Sequence, residues 1–107
     1  MDIKRVQTER GFSLIQFEDR YGAVCDIQES SLAEEAAIWF GPHDADAQVM
    51  HGDAAARGVS TSQNYGWVKY PIPKQVLLNT RMHLTQSQIA ELLPLLQHFA
   101  ETGELPL

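Results

Sequence analysis

The chain has 107 residues, a hydrophobic share of 44%, a charged share of 21% and a formal charge of −6. That is the length and balance of one globular domain with a single modest core. The acid excess, with a pI near 5.0, excludes a sequence-independent nucleic-acid binder, which needs a basic stripe to displace counterions.

The lone cysteine, Cys25, cannot close an internal disulfide and fits a reducing compartment. No window approaches the run of about 18 apolar residues that a membrane span requires. The start, "MDIKRVQTER", lacks the apolar core of a signal peptide. A cytoplasmic protein, bacterial or viral in style, is the expectation.

In chain order, "RGFSLIQFEDRYGAVCDIQES" reads as a hairpin. Phe12, Leu14, Ile15 and Phe17 fill its first strand. Asp19 and Gly22 suit a short turn. Ala23, Cys25 and Ile27 line one face of the second strand, with Asp26 and Gln28 on the other. Ser31, followed by Glu34, is placed to cap a single helical turn through "SLAEEA". "AIWFG" reads as a short third strand closed by Gly41 and Pro42, with Trp39 in the core between Ile38 and Phe40.

Residues 42–73 form a loop-rich excursion of about 30 residues, a length that is uncommon and often functional. Pro71 and Pro73 forbid a central strand there. Leu78, Thr80, Met82 and Leu84 then alternate with Asn79, Arg81 and His83. This is a period-2 strand with Arg81 and His83 together on its open face. A helix follows from about 86 to 101. Thr85 and Gln88 make the capping box, and Leu84 and Ile89 the hydrophobic staple. Ile89, Leu92, Leu93, Leu96 and Phe99 form its apolar stripe. Gly103 stops it, with Pro106 beyond. Pro94, inside the helix, costs roughly 3 kcal/mol and predicts a kink held down by packing.

These elements predict one α+β domain over 1–107: a mostly antiparallel sheet of about four strands, a long loop-rich insertion and a C-terminal helix packed on one face. The other face is half solvated or buried against a second copy in a homo-oligomer.

Four groups of residues bear on chemistry. His43, Asp44, Asp46, His51 and Asp53 are metal-ligand types, but they match neither H-E-x-x-H nor an EF-hand loop. A solvated acidic loop with aspartate caps explains them better. Cys25 has nothing beside it to depress its pKa and reads as a small core residue. Ser30 and Ser31 lie in no nucleophile elbow. Glu34 and Glu35, as sequence neighbours, point apart on a helix. The glycines at 52, 58 and 66 do not form a phosphate loop. No catalytic set, metal site or cofactor is therefore expected.

The fourth group is Tyr65, Trp67, Lys69 and Tyr70 with Arg81 and His83. Such residues dominate interface hot spots, and they stack on bases and pair with phosphates. The plainer alternative has Trp67 covering the core and Arg81 paired with a surface carboxylate. The functional assignment is a ligand- or partner-binding site at Arg81, His83, Trp67, Lys69 and Tyr70.

Three segments, "RGFSLIQFEDRYGAVCDIQESSLAEEAAIWFG", "GWVKYPIP" and "RMHLTQSQIAELLPLLQHFAETGEL", resemble a family of small uncharacterised bacteriophage and prophage proteins. The resemblance carries no catalytic motif. It implies a non-enzymatic accessory protein that inhibits a host protein or complex, such as one of defence. An alternative is an oligomeric sponge for a nucleotide or another small anion, with Arg81 and His83 on the phosphate, Lys69 assisting, and Trp67 or Tyr70 stacking. A metal-dependent enzyme at the 43–53 cluster is the least supported reading.

Overall fold

A computed structural model describes all of residues 1–107. The chain groups into two compact units, residues 1–43 with 80–107, and residues 44–79. The fold class is α+β, as the sequence predicts. The first unit holds a five-stranded antiparallel sheet in the order β1-β2-β3-β4-β7. Its strands are β1 (Lys4–Gln7), β2 (Ser13–Glu18), β3 (Val24–Glu29), β4 (Ala37–Pro42) and β7 (Met82–Thr85). A single helix, α1 (Gln86–Thr102), follows β7 directly. Strands β5 (Gln48–Met50) and β6 (Trp67–Lys69) make a separate two-stranded sheet in the second unit.

Local chemistry sets most of these boundaries. Asp19 Oδ1 accepts the backbone N–H groups of Tyr21 and Ala23 at 2.8 and 3.0 Å, and Gly22 adopts φ +85°. The β2–β3 turn thus uses the two residues the sequence singles out. Thr85 Oγ1 accepts from Gln88 N–H at 3.2 Å, while Gln88 Oε1 accepts from Thr85 N–H at 2.9 Å. This reciprocal pair satisfies donors that a helix start leaves open. Gly103, at φ +77°, ends α1 by donating to the Phe99 carbonyl at 2.8 Å.

Some expectations change. Strand β1 lies in an N-terminal stretch with no alternating apolar pattern; it pairs with β2 as an exposed edge. Residues 30–36 form no helical turn; they carry only a bend at 33–35. Ser30, not Ser31, supplies the local bond, its Oγ accepting from Leu32 N–H at 3.1 Å. The fourth predicted strand is shorter than its alternation, because only Met82–Thr85 finds a partner, on β4.

Register divides the sheet into two chemically distinct faces. Ile15, Phe17, Cys25, Ile27, Ile38, Phe40, Met82 and Leu84 fall on one. There Phe17 and Phe40 meet edge to face, with ring centroids 6.5 Å apart, a favoured aromatic geometry. Gln16, Asp26, Gln28, Trp39, Arg81 and His83 belong to the other. The helix packs against the sheet at its first turn, where Leu84 and Ile89 are half-buried and Gln86 N–H donates to the Ala36 carbonyl at 3.0 Å. Farther along, no α1 residue is buried.

Cys25 is the one apolar residue of the first unit that is buried. Burial pushes its thiol above the ordinary range, and the Asp19 and Asp26 carboxylates add to the rise. The folded chain therefore favours the protonated thiol. Stability is complete below the unfolded thiol value of about 8.5 and falls as pH rises through it, because the unfolded chain releases its proton first. The expected result is slower alkylation of Cys25 in the native protein than in urea at pH 8. Equal rates would show that the thiol is not shielded.

In the second unit, β5 and β6 pair through Val49↔Val68, with Val68 and Ala54 as its buried residues. Single 3-10 turns at His51–Asp53 and Ala55–Arg57 connect them. Gln63 Nε2 donates to the Tyr65 and Trp67 carbonyls and ties the loop that leads into β6. Pro71 and Pro73 lie outside any strand.

Candidate functional site

The polar face of the five-stranded sheet carries a connected cluster. Its centre is Asp26, which is 1% exposed. A buried carboxylate is costly unless it is paired and hydrogen-bonded, and Asp26 is supplied from three sides. Gln16 Nε2 donates to Oδ1 at 2.9 Å from the neighbouring position on β2. His43 Nδ1 lies 2.5 Å from Oδ2, and Arg81 Nη1 is 3.5 Å from the same oxygen. Arg81 Nη1 also donates to Gln28 Oε1 at 2.8 Å.

The reach of Arg81 depends on the residue between. On β4, the position opposite Asp26 is Gly41. Arg81 precedes β7, on the far side of β4, so its guanidinium must cross β4 to reach β3. Gly41 has no side chain to obstruct it. The fit there is tight: a Cβ at 41 would lie 2.8 Å from the Thr80 carbonyl oxygen and 3.1 Å from Arg81 Cα. Gly41 also adopts φ +150°, which disfavours L side chains. Thr80 Oγ1 donates to the Pro42 carbonyl at 2.7 Å and pins the same approach.

One row along the sheet, Gln28, Trp39 and His83 stand side by side on β3, β4 and β7. The His83 ring stacks on Trp39 with centroids 4.0 Å apart and planes 9° from parallel. The Arg81 guanidinium carbon is 5.8 Å from the Trp39 centroid, within cation–π range. His83 Nε2 lies 2.8 Å from Ser30 Oγ. Trp39 is thus not the core residue its apolar neighbours suggest. It alternates with Ile38 and Phe40, so the strand's period turns it to the polar face.

Beside Trp39 the surface dips into a depression of about 440 Å³, whose lining includes Arg10, Phe12, Gln28, Glu29, Ser31 and Trp39. Arg10 lies over the Phe12 ring, 5.4 Å from its centroid. The Ser13 backbone N–H donates to Glu29 Oε1 at 2.7 Å and holds that carboxyl below its usual range. A roomier hollow of about 580 Å³ opens by Met1, Asp2, Lys4, Gln16, Glu18 and Asp19. It lacks the Trp39–His83 stack and is lined by more carboxylates than the depression at Trp39. The smaller depression is lined by Trp39 and Gln28, which partner His83 and Arg81, and by Arg10 with the Glu9 and Glu29 carboxylates.

Arg81 and His83 therefore share a face, as their alternation predicts, and Trp39, Gln28, Asp26 and His43 join them there. Trp67, Lys69 and Tyr70 belong to the second unit. Trp67 is 60% exposed, Lys69 is exposed, and Val68 between them is buried. The Tyr70 N–H donates to the Ala47 carbonyl at 2.9 Å.

The side chains of the 43–53 cluster go separate ways. His43 bonds Asp26, Asp46 accepts from Gln48 Nε2 at 2.7 Å, and His51 Nδ1 lies 3.2 Å from the Gly66 carbonyl oxygen. No three His, Cys, Asp or Glu side chains of the chain converge as metal ligands. No family model, curated protein or solved structure matches this chain.

Proposed function

We propose that this is a non-enzymatic binding protein whose polar sheet face takes a small anionic ligand with a planar ring, a nucleotide by chemical class. The observation that carries the reading is the fixed position of Arg81, held by buried Asp26 and by Gln28 beside the stacked Trp39 and His83. A guanidinium already ordered in the free protein loses less entropy when it pairs with an anion. An aromatic platform binds any base through its π-face. Gln28 and the Glu29 carboxyl at the rim suit the hydroxyl or amino groups of such a ligand. Sequestration of a nucleotide signal is the activity that these features support for an accessory protein of the kind the sequence resembles.

The test is calorimetric titration of the whole chain with a panel of mono- and dinucleotides and with inorganic phosphate. Arg81→Ala is run in parallel. A ligand that binds the natural chain should bind the variant about 10- to 100-fold more weakly, the cost of one charge-assisted hydrogen bond. Equal affinity in the two proteins would remove Arg81 from the site.

A second reading, inhibition of a host protein, is favoured by exposed aromatics in the second unit: Tyr65 at 74%, Trp67 at 60% and Tyr70 at 37%. Exposed Trp and Tyr are the usual anchors of protein interfaces. With a net charge of −6, the partner surface would be basic. A host protein retained by the natural chain but lost with Trp67→Ala would support this reading over the first.

A further inference from the structure

The depression beside Trp39 combines aromatic rings with charges of both signs, and each group has a defined hold. In the row Gln28–Trp39–His83, His83 stacks on the indole from β7 and Gln28 flanks it on β3. Gln28 lines the depression and His83 does not. The depression thus opens on the side of Trp39 away from the His83 stack. Phe12 adds a second ring to the lining.

Arg10 rests over that ring, its guanidinium carbon 5.4 Å from the Phe12 centroid. The chain's ion pairs, at Asp26, do not involve it, so its N–H donors remain for a ligand. Glu29 Oε1 accepts the Ser13 backbone N–H at 2.7 Å. Ser13 holds the Glu29 carboxyl below its usual range, and the group is ionised at neutral pH. A carboxylate offers about four acceptor sites, so Glu29 keeps capacity for further donors.

These charges sort the parts of a nucleotide. With the Glu9 and Glu29 carboxylates in its lining, the depression repels a phosphate. It is the place for the ring, and the phosphate belongs at Arg81, which Gln28 Oε1 joins to the lining at 2.8 Å. The charges also sort the bases. A carboxylate only accepts and a guanidinium only donates. Guanine carries N1–H and N2–H₂ donors side by side on one edge, with O6 and N7 acceptors on another. Adenine offers the carboxylate only its N6–H₂, next to the N1 lone pair, and sets that same N6–H₂ against a guanidinium at N7. Cytosine and uracil present a single donor group each.

Resting on the nucleotide reading above, we propose that this depression is a guanine pocket. The ring stacks on Trp39, the Glu29 carboxylate accepts from N1–H and N2–H₂, and Arg10 donates to O6 and N7. Glu29 and Arg10 are then the residues that set specificity, while Arg81 takes the phosphate of any nucleotide.

The test is calorimetric titration of the full chain with GMP and AMP, which carry the same phosphate, repeated on Glu29→Gln and Arg10→Ala. The natural chain should bind GMP about 10- to 100-fold more tightly than AMP, the worth of one hydrogen bond to a charged group. Glu29→Gln keeps an acceptor for the Ser13 N–H. It should erase the preference by weakening GMP and sparing AMP. Arg10→Ala should weaken GMP more than AMP. Equal affinities in the natural chain, or tighter AMP, would overturn the proposal. So would a preference for GMP that survives Glu29→Gln. In those cases the nucleotide reading stands if Arg81→Ala weakens both ligands. If neither ligand binds, the guanine pocket falls, and the panel of dinucleotides decides the wider reading.

Discussion

Asp26→Ala is expected to destabilise the protein by about 2–4 kcal/mol and to abolish the ligand binding proposed for the polar face. Removing one member of a fully buried ion pair costs about 3–5 kcal/mol, because the partner charge is left uncompensated. Here the partners are not sealed in: the side chains of His43 and Arg81 are 50% and 27% exposed. Water can recover part of their solvation, so the expected figure lies lower. Gln16 Nε2 also loses its acceptor. The second effect comes through geometry. Without the carboxylate, Arg81 keeps only Gln28 as a hydrogen-bond partner within the sheet, and its guanidinium regains rotamer freedom. Urea denaturation of Asp26→Ala, with Asp26→Asn beside it, measures the first effect. Asparagine keeps the shape and one acceptor, so it should retain part of the stability but little of the hold on Arg81. A midpoint unchanged in both variants would show that the buried carboxylate contributes nothing net.

Gly41→Ala is expected to cost about 2–3 kcal/mol and to displace Arg81 even though no charged group is altered. The added Cβ would meet the Thr80 carbonyl oxygen at 2.8 Å and Arg81 Cα at 3.1 Å. Both are backbone atoms, so relief requires β4 and the start of β7 to separate. The φ of +150° adds strain for any L side chain. Separation here would pull the guanidinium away from Asp26 Oδ2, already 3.5 Å distant. Thermal melting reports the stability loss. The amide shifts of residues 80–83 in NMR spectra report the displacement. A variant that melts like the natural chain and leaves those shifts unmoved would show that the strands have room.

The two substitutions reach the same site by different routes. One removes the charge that holds Arg81, and the other removes the gap through which Arg81 reaches that charge. Their effects should therefore fall short of additive, since residues sharing one network couple.

The sequence determined what depends on near neighbours. The helix start at Thr85–Gln88 and its stop at Gly103 rest on bonds spanning three or four residues. The β2–β3 turn rests on Asp19 and Gly22. Alternation alone placed Arg81 with His83, and Asp26 with Gln28, because the side-chain period of a strand is fixed at two.

Only tertiary pairing decided the rest. Strand β1 carries little apolar signal and exists because β2 offers it an edge. Trp39 reads as core between two apolar neighbours. It faces the polar side because β4 pairs with β3 and β7 in a register that puts it between Gln28 and His83. Asp26 and Arg81 lie far apart in the chain, and nothing local ties one to the other. Their meeting required β4 to lie between β3 and β7 and to present Gly41, a residue without a side chain, at the crossing point. Register across three strands is a property of the folded sheet, so the ion pair at the centre of the candidate site was not legible until the strands were in place.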